Sequence, residues 1–311
     1  MTKKILVVGS SNMDLSMNLF KVPQPGQTVI DDGGVAYTPG GKGANSAIAL
    51  ARLGAHTVFC SKLGADVHGQ RLFNYYKDSG IDTSYIKVDH DYPTGFAVVM
   101  KEGSGENRIV VYPGANNNIT NDNILDAFSC KPDALYLGFE IPFSTVVTAA
   151  KIAASRSIPI FIDAAPAQAS YPLQNLPPIE IFSPNETETM EYTGITPAGS
   201  ESSLRAAYNI YSKVKCKYVV LKLGSRGAFV FNGKHCDVIP PYKPDRIVDT
   251  TAAGDTFTAA MTLEYLTNAG NIVGAVNYGA AAAAIAISRK GASTSIPTSD
   301  EVRKFMQTHR N

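Results

Sequence analysis

Asp133-Ala-Leu-Tyr-Leu137 opens a stretch that continues through a helical run at Ser144–Ser157 and closes on Ile158-Pro-Ile-Phe-Ile-Asp163. Short apolar runs flanking a helix spell a strand–helix–strand unit, and such units build parallel sheets. The rhythm extends in both directions. His56-Thr-Val-Phe-Cys60 precedes a helix near Asp66–Ser79, and Ile179-Glu-Ile-Phe182 precedes one near Ser202–Lys213. Tyr218-Val-Val-Leu-Lys-Leu223 runs through Gly-Ser-Arg-Gly227 into a hairpin strand, Ala228-Phe-Val-Phe231. Ile5-Leu-Val-Val8 reads as another buried strand, feeding a loop that carries Asn12 and Asp14. The sequence therefore predicts an α/β fold: a mostly parallel central sheet with helices on both faces.

Two blocks break the rhythm. Leu15-Ser-Met-Asn-Leu19 alternates, Pro23-Gln-Pro-Gly26 interrupts, and Thr28-Val-Ile30 resumes an extended pattern. Thr94–Met100 and Arg108–Tyr112 form a hairpin through Glu102-Gly-Ser-Gly-Glu-Asn107. We expect residues 15–37 and 94–112 to make a small β-sheet lid on an α/β domain of residues 1–14, 38–93 and 113–311. Both hairpin faces are apolar, where a free flap prefers one polar face. One face is expected to cover a ligand and the other to meet a partner subunit.

With 44% hydrophobic and 18% charged residues among 311, the chain has the composition of a soluble globular protein. A net charge of +1 leaves no basic footprint for nucleic acid. The run at Ile5–Val8 is too short for a signal peptide core, and no stretch has transmembrane length. Cys60, Cys130, Cys216 and Cys236 are scattered without metal-ligand spacing, and three lie in or beside apolar runs. Free thiols in a reduced, cytoplasmic protein follow.

Three segments carry candidate chemistry. Pro39-Gly-Gly-Lys-Gly-Ala-Asn45 leads into a helix at Ser46–Leu53 that Gly54 stops. It lacks the Ser or Thr of a Walker A loop, so a structural turn or a close ligand contact are both open. Asn12 and Asp14 are turn residues or ligand groups with equal weight. In Val248-Asp-Thr-Thr-Ala-Ala-Gly-Asp-Thr-Phe-Thr-Ala-Ala260, small residues precede a helix start at Gly254-Asp255. Free amides and the helix dipole suit an anion there, and a carboxylate in that turn suits a general base. On that segment alone, Asp255 reads first as a helix cap.

The combination resolves these ambiguities. Gly40-Gly-Lys-Gly-Ala-Asn45 and Asp249-Thr-Thr-Ala-Ala-Gly-Asp255 resemble the two signature segments of the PfkB carbohydrate kinase family. Asn185-Glu-Thr-Glu188 resembles its N-x-x-E motif, and Lys222-Leu-Gly-Ser-Arg-Gly227 its nucleotide loop. Gly9–Asp14, Phe139-Glu-Ile-Pro142 and Arg289-Lys-Gly-Ala292 are similar to the members that act on ribose. The resemblance spans essentially the whole chain.

It implies ATP-dependent phosphorylation of the 5-hydroxyl of D-ribose. Asp255 would be the base, held by the cap geometry of its helix, with the amides of Ala252, Ala253, Gly254 and Asp255 as anion hole. Asn12, Asp14, Gly41, Lys42, Gly43, Asn45 and Glu140 would bind the sugar. Asn185, Lys222, Leu223, Gly224, Ser225, Arg226, Gly227 and Gly254 would contact ATP, and Glu188 would organise Mg²⁺ through water. Asp249, Thr251, Ala286, Arg289, Gly291 and Ser295 would hold an activating K⁺, and the lid would pair a homodimer. Two positions depart from the pattern: Ala280 stands where relatives place Asn or His near adenine, with Asn277 one turn earlier, and Ala252 replaces a commoner glycine. The rivals are a PfkB-type kinase of another sugar or a nucleoside, and a non-catalytic sugar or nucleotide sensor on the same fold.

Overall fold

The computed structural model describes residues 2–30, 33–102 and 107–309. The first third of the chain contains β1 (Lys4–Val8), β2 (Asn12–Leu19), β3 (Val35–Gly40), α1 (Lys42–Arg52), β4 (His56–Gly64) and α2 (Val67–Asp78). There follow β5 (Ile86–Asp89), β6 (Gly95–Glu102), β7 (Asn107–Tyr112), α3 (Asn121–Ala127), β8 (Ala134–Leu137), α4 (Phe143–Ser155) and β9 (Ile160–Asp163). Next come β10 (Ile179–Ser183), α5 (Glu186–Thr193), α6 (Ser200–Lys213), β11 (Cys216–Lys222), β12 (Ala228–Phe231) and β13 (Cys236–Ile239). Helices α7 (Ala253–Thr267), α8 (Ile272–Ile287) and α9 (Ser299–Thr308) complete the fold.

Among the described residues the large sheet runs β13-β12-β11-β10-β9-β8-β1-β4-β5. It is parallel from β11 to β5, with antiparallel β12 and β13 at one edge. Strand β1 shows why its sequence is uniformly apolar. Ile5 and Val7 enter the core under α1, α2, α7 and α8, while Leu6 and Val8 enter the core under α3, α4, α5 and α6. A strand covered on both faces has no polar side to alternate with.

A second sheet, ordered β3-β2-β6-β7, joins β2 to β6 in parallel and makes the other two pairings antiparallel. Three local expectations change. Asn12 and Asp14 lie on β2, paired with Gly95 and Ala97 of β6, and not in a loop. Thr28–Ile30 is not a strand; Ile30 is 99% exposed, and the pairing segment is Val35–Gly40. Helix α1 starts at Lys42, inside the glycine stretch, because Gly41 takes the left-handed turn at φ 91°. Of the expected hairpin connector, residues 103–106 lie outside the described residues.

All four cysteines are free; Cys60 and Cys216 are buried, Cys130 is half-buried and Cys236 exposed. Among the described residues, no helix is long and apolar enough to cross a membrane.

Candidate active site

Helix α1 enters against the end of β1 because two glycines meet there. A Cβ on Gly43 would sit 2.5 Å from Ser10 N and 2.6 Å from Gly9 C. This approach delivers the Lys42 amide to Glu140 Oε2 at 2.8 Å, where Ser10 Oγ also donates at 2.5 Å. Asn12 Oδ1 accepts from Asn116 Nδ2 at 2.8 Å, and Asn116 also brackets the backbone of Ser11. Ser10 and Asn116 were not singled out by sequence. Ser10 stands between two motif residues, whereas Asn116 sits in an Asn-Asn-Asn run with no motif to mark it.

Two acceptors in this cluster are unspent. Asp14 Oδ1 and Asn45 Oδ1 are buried without a protein hydrogen-bond partner. Buried acceptors of this kind are costly unless a ligand donates to them, and sugar hydroxyls are suitable donors. Space beside Asp14 depends on Gly40, where a Cβ would lie 2.0 Å from Asp14 Oδ2.

Burial, then the nearby charges of Glu140 and Asp255, push the Asp14 carboxyl up to about 7. The folded protein thus binds a proton here that the unfolded chain releases above the ordinary carboxylate range. Asp14 favours folding most at acidic pH. That contribution is lost as pH climbs towards 7, and above 7 the buried charge is a full penalty. Asp14→Asn is therefore expected to stabilise the ligand-free protein at pH 8 by about 2 kcal/mol after allowance for solvent screening. At pH 4 the gain should vanish. Thermal melts at the two pH values check this; an equal stability change at both would remove the assigned titration.

Asp255 lies in the first turn of α7, but not as a cap. The residue at the N-cap is Ala252, and no side chain caps this helix. Instead Asp255 Oδ2 accepts from Asn45 Nδ2 at 2.8 Å, and Oδ1 lies 3.7 Å from Lys42 Nζ. Burial pushes the Asp255 carboxyl up, opposed by Lys42 and the Asn45 bond, while Asp255 in turn holds the Lys42 ammonium protonated. Among the expected anion-hole amides, that of Ala253 donates to Thr250 O at a long 3.3 Å. Ala252 adopts φ 60°, a left-handed conformation that costs a non-glycine residue about 1–2 kcal/mol. The alanine at this position thus carries a backbone cost that counting amides does not reveal.

Behind the same turn lies a cavity of about 720 Å³, lined by Lys222, Gly224, Ser225, Gly227, Ala253 and Gly254, with Phe257, Ala280, Ala283 and Ile287 among its apolar walls. It is large enough for a nucleotide, and its alanine-rich wall suits a flat base. Asn277 is not among the lining residues; its amide donates to Val273 O. Leu223 is buried, and Arg226 pairs with Glu186. Asn185 and Glu188 form the capping box of α5, exchanging bonds of 2.7–2.8 Å. Lys222, at the end of β11, lines this cavity and is also tied inward. Its ammonium is buried against Asp163, at 2.9 and 3.1 Å.

The remaining motif residues converge beside α7. Asp249 Oδ1 accepts from Thr251 N and Oγ1, and Oδ2 accepts from Gly291 N at 3.2 Å. These bonds and Lys101 hold its carboxyl below the ordinary range against the upward push of burial. The carbonyl of Ala286 accepts from Arg289 N, and Ser295 is tied to Ala292 O. The Arg289 guanidinium points away to Glu301.

Residues 2–299 match the model of the pfkB family carbohydrate kinases. The chain is 36% identical to a ribokinase of Haemophilus influenzae, covering 99% of both chains. It is 33% identical to a ribokinase of Staphylococcus aureus over 98% of this chain and all of that one. The solved structure of Arabidopsis thaliana ribokinase complexed with ribose and ATP superposes with a TM-score of 0.87, at 30% identity and 99% coverage of each chain.

Proposed function

The chain belongs to the pfkB family of carbohydrate kinases, and we infer from that premise that it transfers the γ-phosphoryl group of ATP to the 5-hydroxyl of D-ribose. The observation that carries this reading is the position of Asp255. Its carboxylate bonds to Asn45 in the sugar-side pocket, while the preceding Gly254 lines the nucleotide-sized cavity. One carboxylate thus stands between the Asn45 and Asp14 cluster of unspent acceptors and the nucleotide-sized cavity.

Ribose donates hydroxyls to Asp14 Oδ1 and Asn45 Oδ1, with Asn12, Glu140 and the backbone of Gly41–Gly43 completing the pocket. Asp255 takes the proton of the 5-hydroxyl as its oxygen attacks the γ-phosphorus. The bond from that phosphorus to the bridging oxygen breaks, and ADP leaves. The first-turn amides of α7 and the Lys42 ammonium stabilise the charge that develops on the transferring group. Asn185 and the Gly224–Gly227 loop hold the nucleotide, whose base lies on the apolar wall at Ala280.

A divalent cation on the phosphates would supply further charge neutralisation. Glu188, each of whose oxygens accepts one bond from Asn185, keeps lone pairs for that ion's water shell. Asp249, with backbone oxygens of Thr251, Ala286, Arg289, Gly291 and Ser295, would hold a monovalent cation. One ionised carboxylate among neutral oxygens suits that charge, and the ion would order the turn leading into α7.

Residues 15–37 and 94–112 act as a lid and as the surface for a second copy of the chain. In support, consecutive residues Ile109, Val110, Val111 and Tyr112 are each 42–63% exposed, so β7 presents apolar side chains on both faces. The four free thiols support a cytoplasmic location.

A kinase assay with ATP and Mg²⁺ tests the function. Ribose is expected to exceed deoxyribose in kcat/KM by about tenfold or more, since a missing hydroxyl leaves buried acceptors unpaired, and to exceed fructose, adenosine and pseudouridine as well. Potassium should raise the rate. Preference for a nucleoside would overturn the substrate, and indifference to K⁺ would remove the cation site.

A further inference from the structure

Behind the first turn of α7 lies a buried ion pair that the reaction as described does not use. Asp163, at the end of β9, is 3% exposed, and Lys222, at the end of β11, is 9% exposed. Lys222 Nζ meets both Asp163 oxygens at 2.9 and 3.1 Å, and Thr258 Oγ1 at 3.2 Å. Thr258 Oγ1 lies 2.7 Å from Asp163 Oδ2 and 3.1 Å from the carbonyl of Gly254. The three side chains therefore join two strand ends to the turn that begins α7.

Burying such a pair gains little stability, because desolvating both charges offsets their attraction. The position of the ammonium gives it another use. A Cβ on Gly254 would stand 3.7 Å from Lys222 Nζ, so the ammonium lies within van der Waals reach of that position in the turn. Lys222 and Gly254 line the same cavity. The pair is neutral overall, but among the described residues Lys222 Nζ is the one atom from outside α7 within 4 Å of that Cβ. The pair thus turns its positive end to the start of α7 and is already oriented as charge builds on a phosphoryl group.

We propose that Lys222 is a positioning residue for phosphoryl transfer, its charge fixed under Gly254 by Asp163 and Thr258 so that it strengthens the anion hole from behind. The inference rests on reading the cavity as the nucleotide site. It assigns Lys222 to the transfer step, whereas a loop contact with ATP would assign it to nucleotide affinity.

The test uses the neutral pair Lys222→Gln/Asp163→Asn, whose amides can bond to each other and to Thr258, so folding does not hinge on an orphaned charge. We expect its thermal midpoint to stay near that of the wild type, KM for ribose and ATP to change less than about threefold, and kcat to fall about 100-fold through loss of a preorganised charge beside the anion hole. Lys222→Arg, which keeps the charge, should recover much of the rate. A neutral pair with wild-type kcat overturns the proposal, as does a loss that appears only in KM for ATP. Wild-type enzyme gives a second reading should the pair fail to fold. The Lys222 Nζ resonance, assigned by its loss in Lys222→Arg, should shift with ADP, aluminium fluoride and ribose together, but not with ribose alone; an unmoved resonance overturns the proposal. Absence of wild-type turnover would instead remove the functional reading.

Discussion

Replacing Asp255 with Asn is expected to lower kcat by about 10²–10⁴-fold, the usual worth of a positioned base, while ribose affinity should stay within about threefold. The separation follows from the two oxygens. Oδ2 accepts from Asn45, and an asparagine oxygen can take that bond over; Oδ1, 3.7 Å from Lys42 Nζ, is the oxygen left to take the proton. The substitution also removes a charge that burial disfavours, so the thermal midpoint should hold even as the pairing with Lys42 is lost. Calorimetry with ribose, beside a coupled assay of ADP release, reads the two effects separately. Retention of more than about a tenth of kcat would rule out Asp255 as the base, because base catalysis rarely contributes so little.

That variant probes a residue whose place at a helix start was legible while its support was not. The helix start and its lone carboxylate can be read from Gly254-Asp255, since free amides at a helix terminus are a local property. The cap expected to hold Asp255 is absent. Its partner is Asn45, 210 positions upstream, and no local pattern encodes such a contact. Lys222 shows the same limit. Its place in Lys222–Gly227 suggested an ATP contact and it does line the nucleotide-sized cavity, but its bond to Asp163, which the sequence marks only as a strand end, has no local signal.

The sheet was more readable because its code is redundant. Runs such as Ile5–Val8 are apolar throughout as each side chain meets one of two cores. Segments with half-exposed faces gave weaker signals, as at Thr28–Ile30, where apolar residues point to solvent. The strand carrying Asn12 and Asp14 was read as loop because its polar residues serve a pocket. Function and secondary structure ask for different residues at those positions.

The glycine stretch before α1 yields the second large effect. Gly43→Ala is expected to lower kcat/KM for ribose at least about 100-fold, since displacement of reacting groups by about 1 Å can cost that much. Overpacking alone should also remove about 1–3 kcal/mol of stability. The added methyl group would meet Ser10 N at 2.5 Å and Gly9 C and Cα at 2.6 and 2.7 Å, all backbone atoms with no rotamer to yield. Relief requires α1 to withdraw from the end of β1. Withdrawal pulls the Lys42 amide from Glu140 and Asn45 from Asp255, each now at 2.8 Å. Gly199→Ala is the control, because a Cβ there meets nothing within 4 Å and the position lies at the start of α6, outside both pockets. If Gly43→Ala performs like that control, close approach is not what the glycine supplies. The turn would then be only a connection, and the geometry joining Glu140, Asn45 and Asp255 would have to be held from elsewhere in the fold.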